Sequence, residues 1–171
     1  MIQSLQIALL LIFPVLVATG GLRDLVSYII PNWISLALVG AFFPVALVLG
    51  VSMGDIGLHA AVGAGGLVLG MVMFALGWIG GGDAKLFAAA ALWLGWPAGL
   101  AFAAFTGIAG GGLAVTLLAL RSDWVRPYVL TGPAWFSRLA RADEAVPYGV
   151  AIAIGALCAF PVSTLPGAIG S

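Results

Sequence analysis

Apolar positions in this chain gather into long uncharged runs, which predict membrane-spanning helices. The first run, about residues 3–21, has no Lys or Arg before it. It therefore lacks the basic region of a cleaved signal peptide, and the reading expects it to be retained as a helix. A second run covers about 31–50 and opens at Pro31, where a missing N–H costs a helix nothing. A third covers about 56–79, and a last one about 147–169, interrupted by Pro161. Residues 84–120 have Lys85 as their only charge, at one edge, and Arg121 follows directly. One helix of that length would measure about 56 Å against a hydrocarbon core of about 30 Å. Two short spans are expected instead, turning near Gly95-Trp96-Pro97-Ala98. The total is about six.

Composition points the same way. Hydrophobic residues make up 63% of the chain and charged residues only 7%, against about 25% in a soluble domain. Mean hydropathy is +1.22. Six basic and six acidic residues cancel, too few to cover a water-soluble globule. No basic excess exists to neutralise nucleic-acid phosphates, and the apolar content excludes a solvated disordered chain. The fold class is thus an all-α polytopic membrane protein with the lipid bilayer as its surroundings, one domain over residues 1–171. The single Cys158 permits no intramolecular disulfide and no cysteine-based zinc cluster, and its apolar neighbours suggest a buried, inert thiol.

With six spans, the connections after the first, third and fifth hold Arg23, Lys85, Arg121, Arg126, Arg138 and Arg141, every basic residue in the chain. Those connections should face the cytoplasm and both termini the outer side. The longest connection, about 121–146, carries Pro127, Pro133 and Trp135 and is expected to be a partly structured cytoplasmic, interfacial loop. Gly66-x-x-x-Gly70 gives a small face suited to close helix packing, and Gly110-Gly111-Gly112 either does the same or loosens its helix.

An ionised acid at a helix centre costs roughly 2.5–3.5 kcal/mol on insertion scales, so acids beside apolar runs need an interface or a job. Asp123, Asp143 and Glu144 belong to the polar loop, and Asp55 can cap the third helix. His59 reads as an interfacial histidine at that helix's outer end rather than a metal ligand, since metal sites need several convergent ligands; no metal is expected. Asp24 and Asp83 remain. Both fall at the expected cytoplasmic edge, 59 positions apart in sequence. From Asp83 to Trp96 is about 20 Å of helix, so a Trp96 at the outer interface would hold Asp83 several ångströms below the inner one. On position alone each has a plain alternative: Asp83 as a helix cap after a glycine run, Asp24 as a surface pair with Arg23.

The neighbouring residues add to this. Gly80-Gly81-Gly82-Asp83-Ala84-Lys85-Leu86 resembles the GxGD motif of intramembrane aspartyl proteases, in the GxGDxKL form of type IV prepilin peptidases. Asp24 is followed by Pro31-Asn32, similar to the aspartate and Ile-Pro-Asn segment of that family, although the intervening stretch, often basic in relatives, is uncharged here. Pro147-Tyr148-Gly149 resembles the Pro-Tyr-Gly at the start of the family's last helix. The nearest likeness is to the small TadV/CpaA-type peptidases of Flp/tight-adherence pilus systems, without the zinc-bearing insertion of the larger bifunctional enzymes.

The resemblance implies a leader peptidase of the inner (cytoplasmic) membrane with no cofactor. Its substrate would be a prepilin or pseudopilin, a basic leader followed by an apolar helix, and pilus-assembly machinery would be a further partner. It implies Asp24 and Asp83 as the catalytic pair, sharing one proton because neighbouring carboxylates cannot both ionise cheaply. Gly80, Gly81 and Gly82 would leave room for an extended substrate and tolerate φ > 0. Lys85, pointing away from Asp83, would anchor at the interface by snorkelling, with substrate or lipid contact second. Two other classes compete: a transporter or channel with functional membrane acids, and an inert component of a pilus or secretion assembly.

Overall fold

The computed structural model describes residues 2–141 and 145–169 and contains no strand among them. Helices α1 (Ile2–Leu10) and α2 (Ile12–Ser27) form one nearly continuous rod. They are followed by α3 (Asn32–Val48), α4 (Met53–Ala75), α5 (Gly81–Leu94) and α6 (Ala98–Leu120). Short helices α7 (Arg126–Val129) and α8 (Ala134–Leu139) lie in the long connection, then come α9 (Tyr148–Ala159), a 3-10 turn (Phe160–Val162) and α10 (Thr164–Gly167). Ile2–Ser27, Met53–Ala75, Ala98–Leu120 and Tyr148–Gly167 are long and apolar enough to cross a bilayer; α3 and α5 are shorter. Asp143 and Glu144 lie outside the described residues.

Local chemistry sets most boundaries. Pro31 stands immediately before α3 with φ −62° and ψ 136°. Gly95, at φ +62°, ends α5, and α6 starts at Ala98, so the expected turn stands. Pro161 ends the regular helix as α9 gives way to the 3-10 turn. The cap of α4 differs from expectation: Ser52 is the N-cap, accepting the Asp55 N–H at 3.1 Å, while its hydroxyl donates to Asp55 Oδ2 at 2.7 Å. The first helix is also longer than its apolar run, continuing through Arg23 and Asp24 to Ser27. Arg23 faces out and Asp24 is buried, so the helix persists by packing its polar end against a neighbour.

The centre is α5. Ala84, Leu86 and the run from Ala89 to Leu94 are buried, and α2, α3, α4 and α9 pack around it. A 14-residue helix is about 21 Å long, but one sheathed by protein need not match the lipid core. Close approach comes from glycine. A Cβ at Gly63 would stand 2.9 Å from the Leu92 Cβ, at Gly66 2.9 Å from the Ala91 Cβ, and at Gly70 3.0 Å from the Ala84 Cα. The Gly66-x-x-x-Gly70 face therefore packs α4 onto α5. In the triple glycine of α6, Gly110 packs against Tyr148 and Ala151 of α9, while Gly111 and Gly112 face open space.

Two expectations are corrected. Cys158 is exposed on the outer surface of α9 rather than buried. His59 is not interfacial: it is 2% exposed, with Nδ1 2.8 Å from the Leu92 carbonyl, Nε2 3.0 Å from the Thr164 hydroxyl, and its ring stacked on Phe42. A carbonyl only accepts, so the Leu92 contact places the proton on Nδ1 and leaves Nε2 to accept from Thr164.

Candidate active site

Three helix ends meet at one point. Asp24 lies in the last turn of α2, Asp83 in the first turn of α5, and Gly149 in the first turn of α9. Both acids are buried, at 5% and 7% exposure. The Gly149 N–H donates to Asp24 Oδ2 at 2.7 Å. The two carboxyls lie within electrostatic reach of each other. The structure thus brings together two acids that stand 59 positions apart in sequence.

Each acid is held from its own helix. Asp83 is the third helical residue of α5, and its Oδ2 accepts the Gly80 N–H at 2.9 Å. That is half of a capping box, so a structural duty and a chemical one can coexist on this side chain. The other oxygen, Oδ1, is buried without a hydrogen-bond partner. An orphaned polar atom in a buried site calls for an explanation, and a waiting substrate or water is one. Asp24 owes its place to close packing: a Cβ at Gly149 would stand 2.8 Å from the Asp24 Cβ and 2.9 Å from its Oδ2. Beside it Gly21 meets the Ala153 Cβ and the Gly149 carbonyl, so glycine on both helices draws α2 and α9 together.

The three glycines before Asp83 have separate roles, and none of them has positive φ. At Gly80 a Cβ would press on Asp83 Oδ2 at 3.0 Å, and at Gly82 on the Ile30 Cβ at 3.1 Å. At Gly81 it would meet only the Phe74 ring at 3.6 Å, ordinary contact. Glycine is thus required for space at the first and third positions and not at the middle one. Positive φ, one of the two expected reasons, is not used.

The remaining motif residues surround this point. Pro147 is fully buried and stands just before α9. Tyr148 lies against Gly110 of α6. Pro31 stands before α3, and Asn32 Oδ1 accepts from Lys85 Nζ at 2.9 Å. Lys85 thus joins the Asp83 segment to the Pro31-Asn32 segment. Ile30 is the shared wall, its side chain lying against both Gly82 and Gly149.

Sequence reasoning missed Ile30, which carries no chemistry of its own, and the amide role of Gly149, which no side chain signals. It also missed Tyr28, the one described non-glycine residue at positive φ (56°). Its N–H bonds back to the Asp24 carbonyl at 2.8 Å, and the Arg138 guanidinium of α8 lies 4.6 Å above its ring. The long connection is thereby docked on the end of α2. No group of three or more His, Cys, Asp or Glu residues that could hold a metal occurs among the described residues.

The family model for the type IV leader peptidase family matches residues 11–115. That span contains Asp24, Pro31, Asn32, Gly80 to Asp83 and Lys85, while Pro147, Tyr148 and Gly149 lie beyond it. No curated protein and no solved structure matches significantly. The match covers more than half of a chain whose apolar helices make it a multi-pass membrane protein, and the chain belongs to the type IV leader peptidase family.

Proposed function

We propose that this chain is a prepilin peptidase in which Asp24 and Asp83 cleave the leader of a type IV or Flp prepilin or pseudopilin at the cytoplasmic face of the inner membrane. The observation that carries the reading is the meeting of two buried carboxyls, from α2 and α5, beside the start of α9, whose Gly149 N–H donates to Asp24. Peptide hydrolysis by such a pair needs one carboxylate to take a proton from water and one carboxylic acid to polarise the scissile carbonyl. Buried acids this close share a proton and titrate as a unit, so base and acid are roles of the pair. The Gly149 N–H holds Asp24 in place, and the unpartnered Asp83 Oδ1 is the free position for water or the carbonyl.

In this reading α3 and α5 also cross the membrane, giving six spans with both termini outside. The basic connections, including 121–146, then face the cytoplasm, where a basic leader would be presented.

The test is leader removal by purified protein. Asp24→Asn and Asp83→Asn should each abolish it while protein level and membrane insertion persist. Full processing by either variant overturns the dyad. An inert assembly component would tolerate both changes, and a transporter would show Asp83-dependent flux without processing.

A further inference from the structure

Helices α4 and α6 hardly touch: α4 packs on α5 and α6 packs on α9. Between them runs a groove of about 350 Å³ walled by Met73, Phe87, Thr106, Gly107, Gly111 and Tyr148, among other apolar residues, with no charged residue in its lining. Two of its lining residues are neighbours of the site residues. Phe87 is one turn beyond Asp83 on the same face of α5, and Tyr148 adjoins Gly149. The α6 wall is a small-residue stripe, Ala103, Gly107 and Gly111, at intervals of four. A Cβ at Gly107 or Gly111 would meet nothing within 4 Å, so this GxxxG face has no partner among the described residues. Such faces admit another helix at close range, with van der Waals packing as the reward. Another groove, about 500 Å³ between α3, α4 and α5, has Lys85, Asn32 and Ser35 in its lining and so is neither free of charge nor lined by a bare glycine stripe.

We infer that the α4–α6 groove is the docking site for the uncharged apolar helix of the substrate that follows the scissile bond, with Gly107 and Gly111 as specificity-determining positions. The inference rests on the leader-peptidase reading and adds where the substrate lies. The nearness of its lining to the site argues for the substrate: α9 runs antiparallel to α6, with Tyr148 level with Gly110 and Gly155 with Thr106, and a helix seated on α6 in the same sense as α9 would carry its N-terminal end to the level of Gly149, the partner of Asp24. The charge-free walls require an uncharged segment. A basic leader would be left outside the groove.

The probe is a peptide in detergent with a short basic leader followed by about 20 uncharged apolar residues. A photoreactive residue at position 107 should crosslink to the apolar segment of the peptide, in the Asp83→Asn background as well as in the native one. Gly107→Leu and Gly111→Leu fill open space and favour the helix. They should raise KM at least tenfold and leave kcat within twofold. Gly40→Leu on α3, equally free of neighbours, should change neither. Crosslinking only to a second copy of the chain, or no crosslink, overturns the groove assignment, as does an unchanged KM in both leucine variants. Crosslinking without cleavage by the native protein would instead sink the peptidase reading and leave the groove standing.

Discussion

Two buried polar clusters, both built on α5, behave in opposite ways. At one end of that helix His59 is closed off: both ring nitrogens have partners, Phe42 covers a face, and Gly95 leaves space for the ring. At the other end Asp24 accepts the Gly149 N–H, Asp83 stands within electrostatic reach of it, and one Asp83 carboxyl oxygen has no partner. Both clusters are buried and join several elements, so burial alone does not distinguish structure from chemistry. What distinguishes them is completeness. A satisfied buried network rigidifies a fold, whereas like groups held together with capacity left over keep free energy in reserve for a ligand. Interactions of the His59 kind are therefore expected to govern stability, and those of the aspartate kind to govern turnover.

Substitutions can break that contrast. The largest effect is expected at the acids: Asp24→Asn or Asp83→Asn should lower leader cleavage at least about a thousandfold, the scale on which a catalytic unit fails when one member is removed. Thermal unfolding in detergent should show no loss of stability, since a buried carboxyl is replaced by a neutral isostere. Next, Gly149→Ala forces a methyl against Asp24 and should cost cleavage about a hundredfold, as small misplacements of reacting groups do. His59→Ala should do the reverse. It removes a buried ring and orphans the Leu92 carbonyl, at a cost of about 3 kcal/mol in stability, while kcat per folded molecule stays near native. A cleavage defect at His59 without a drop in thermal midpoint would end the contrast.

Smaller effects sharpen it. Gly80→Ala and Gly82→Ala should each reduce turnover about tenfold by shifting Asp83, less than the full cost of misplacement because the neighbours can yield a few tenths of an ångström. Gly81→Ala, with only ordinary contact ahead of it, should remain within about twofold by the same argument. Lys85→Met loses an exposed hydrogen bond to Asn32 and should change cleavage by no more than about threefold, in keeping with the small worth of exposed polar pairs. Initial rates at saturating and limiting substrate separate these cases.

Much of this architecture was legible in one dimension, because proline and glycine act locally. Pro31 sets where α3 begins, Gly95 and Pro97 divide α5 from α6, and Pro161 breaks the last helix, whatever surrounds them. Long uncharged runs imply helices for an equally local reason: in lipid the backbone must satisfy itself. The pairing of Asp24 with Asp83 was suggested by resemblance to a family and by a common edge, not by anything local. The polar residues Arg23 and Asp24 read as the end of the first helix, yet it continues to Ser27 because α9 receives Asp24. His59 and Cys158 exchanged their expected environments, since a helix in lipid shows an apolar sequence on every side and does not announce which face meets protein.

The order of residues thus determined the element type, most boundaries and the choice of acids, all of which depend on backbone conformation and transfer into lipid over a few turns. Only the tertiary structure decided that three helix ends converge, that Gly80 and Gly82 are crowded while Gly81 is not, and that α6 keeps a bare glycine face. Those outcomes depend on distances between segments far apart in the chain, and glycine records how near a neighbour can come without recording which neighbour comes.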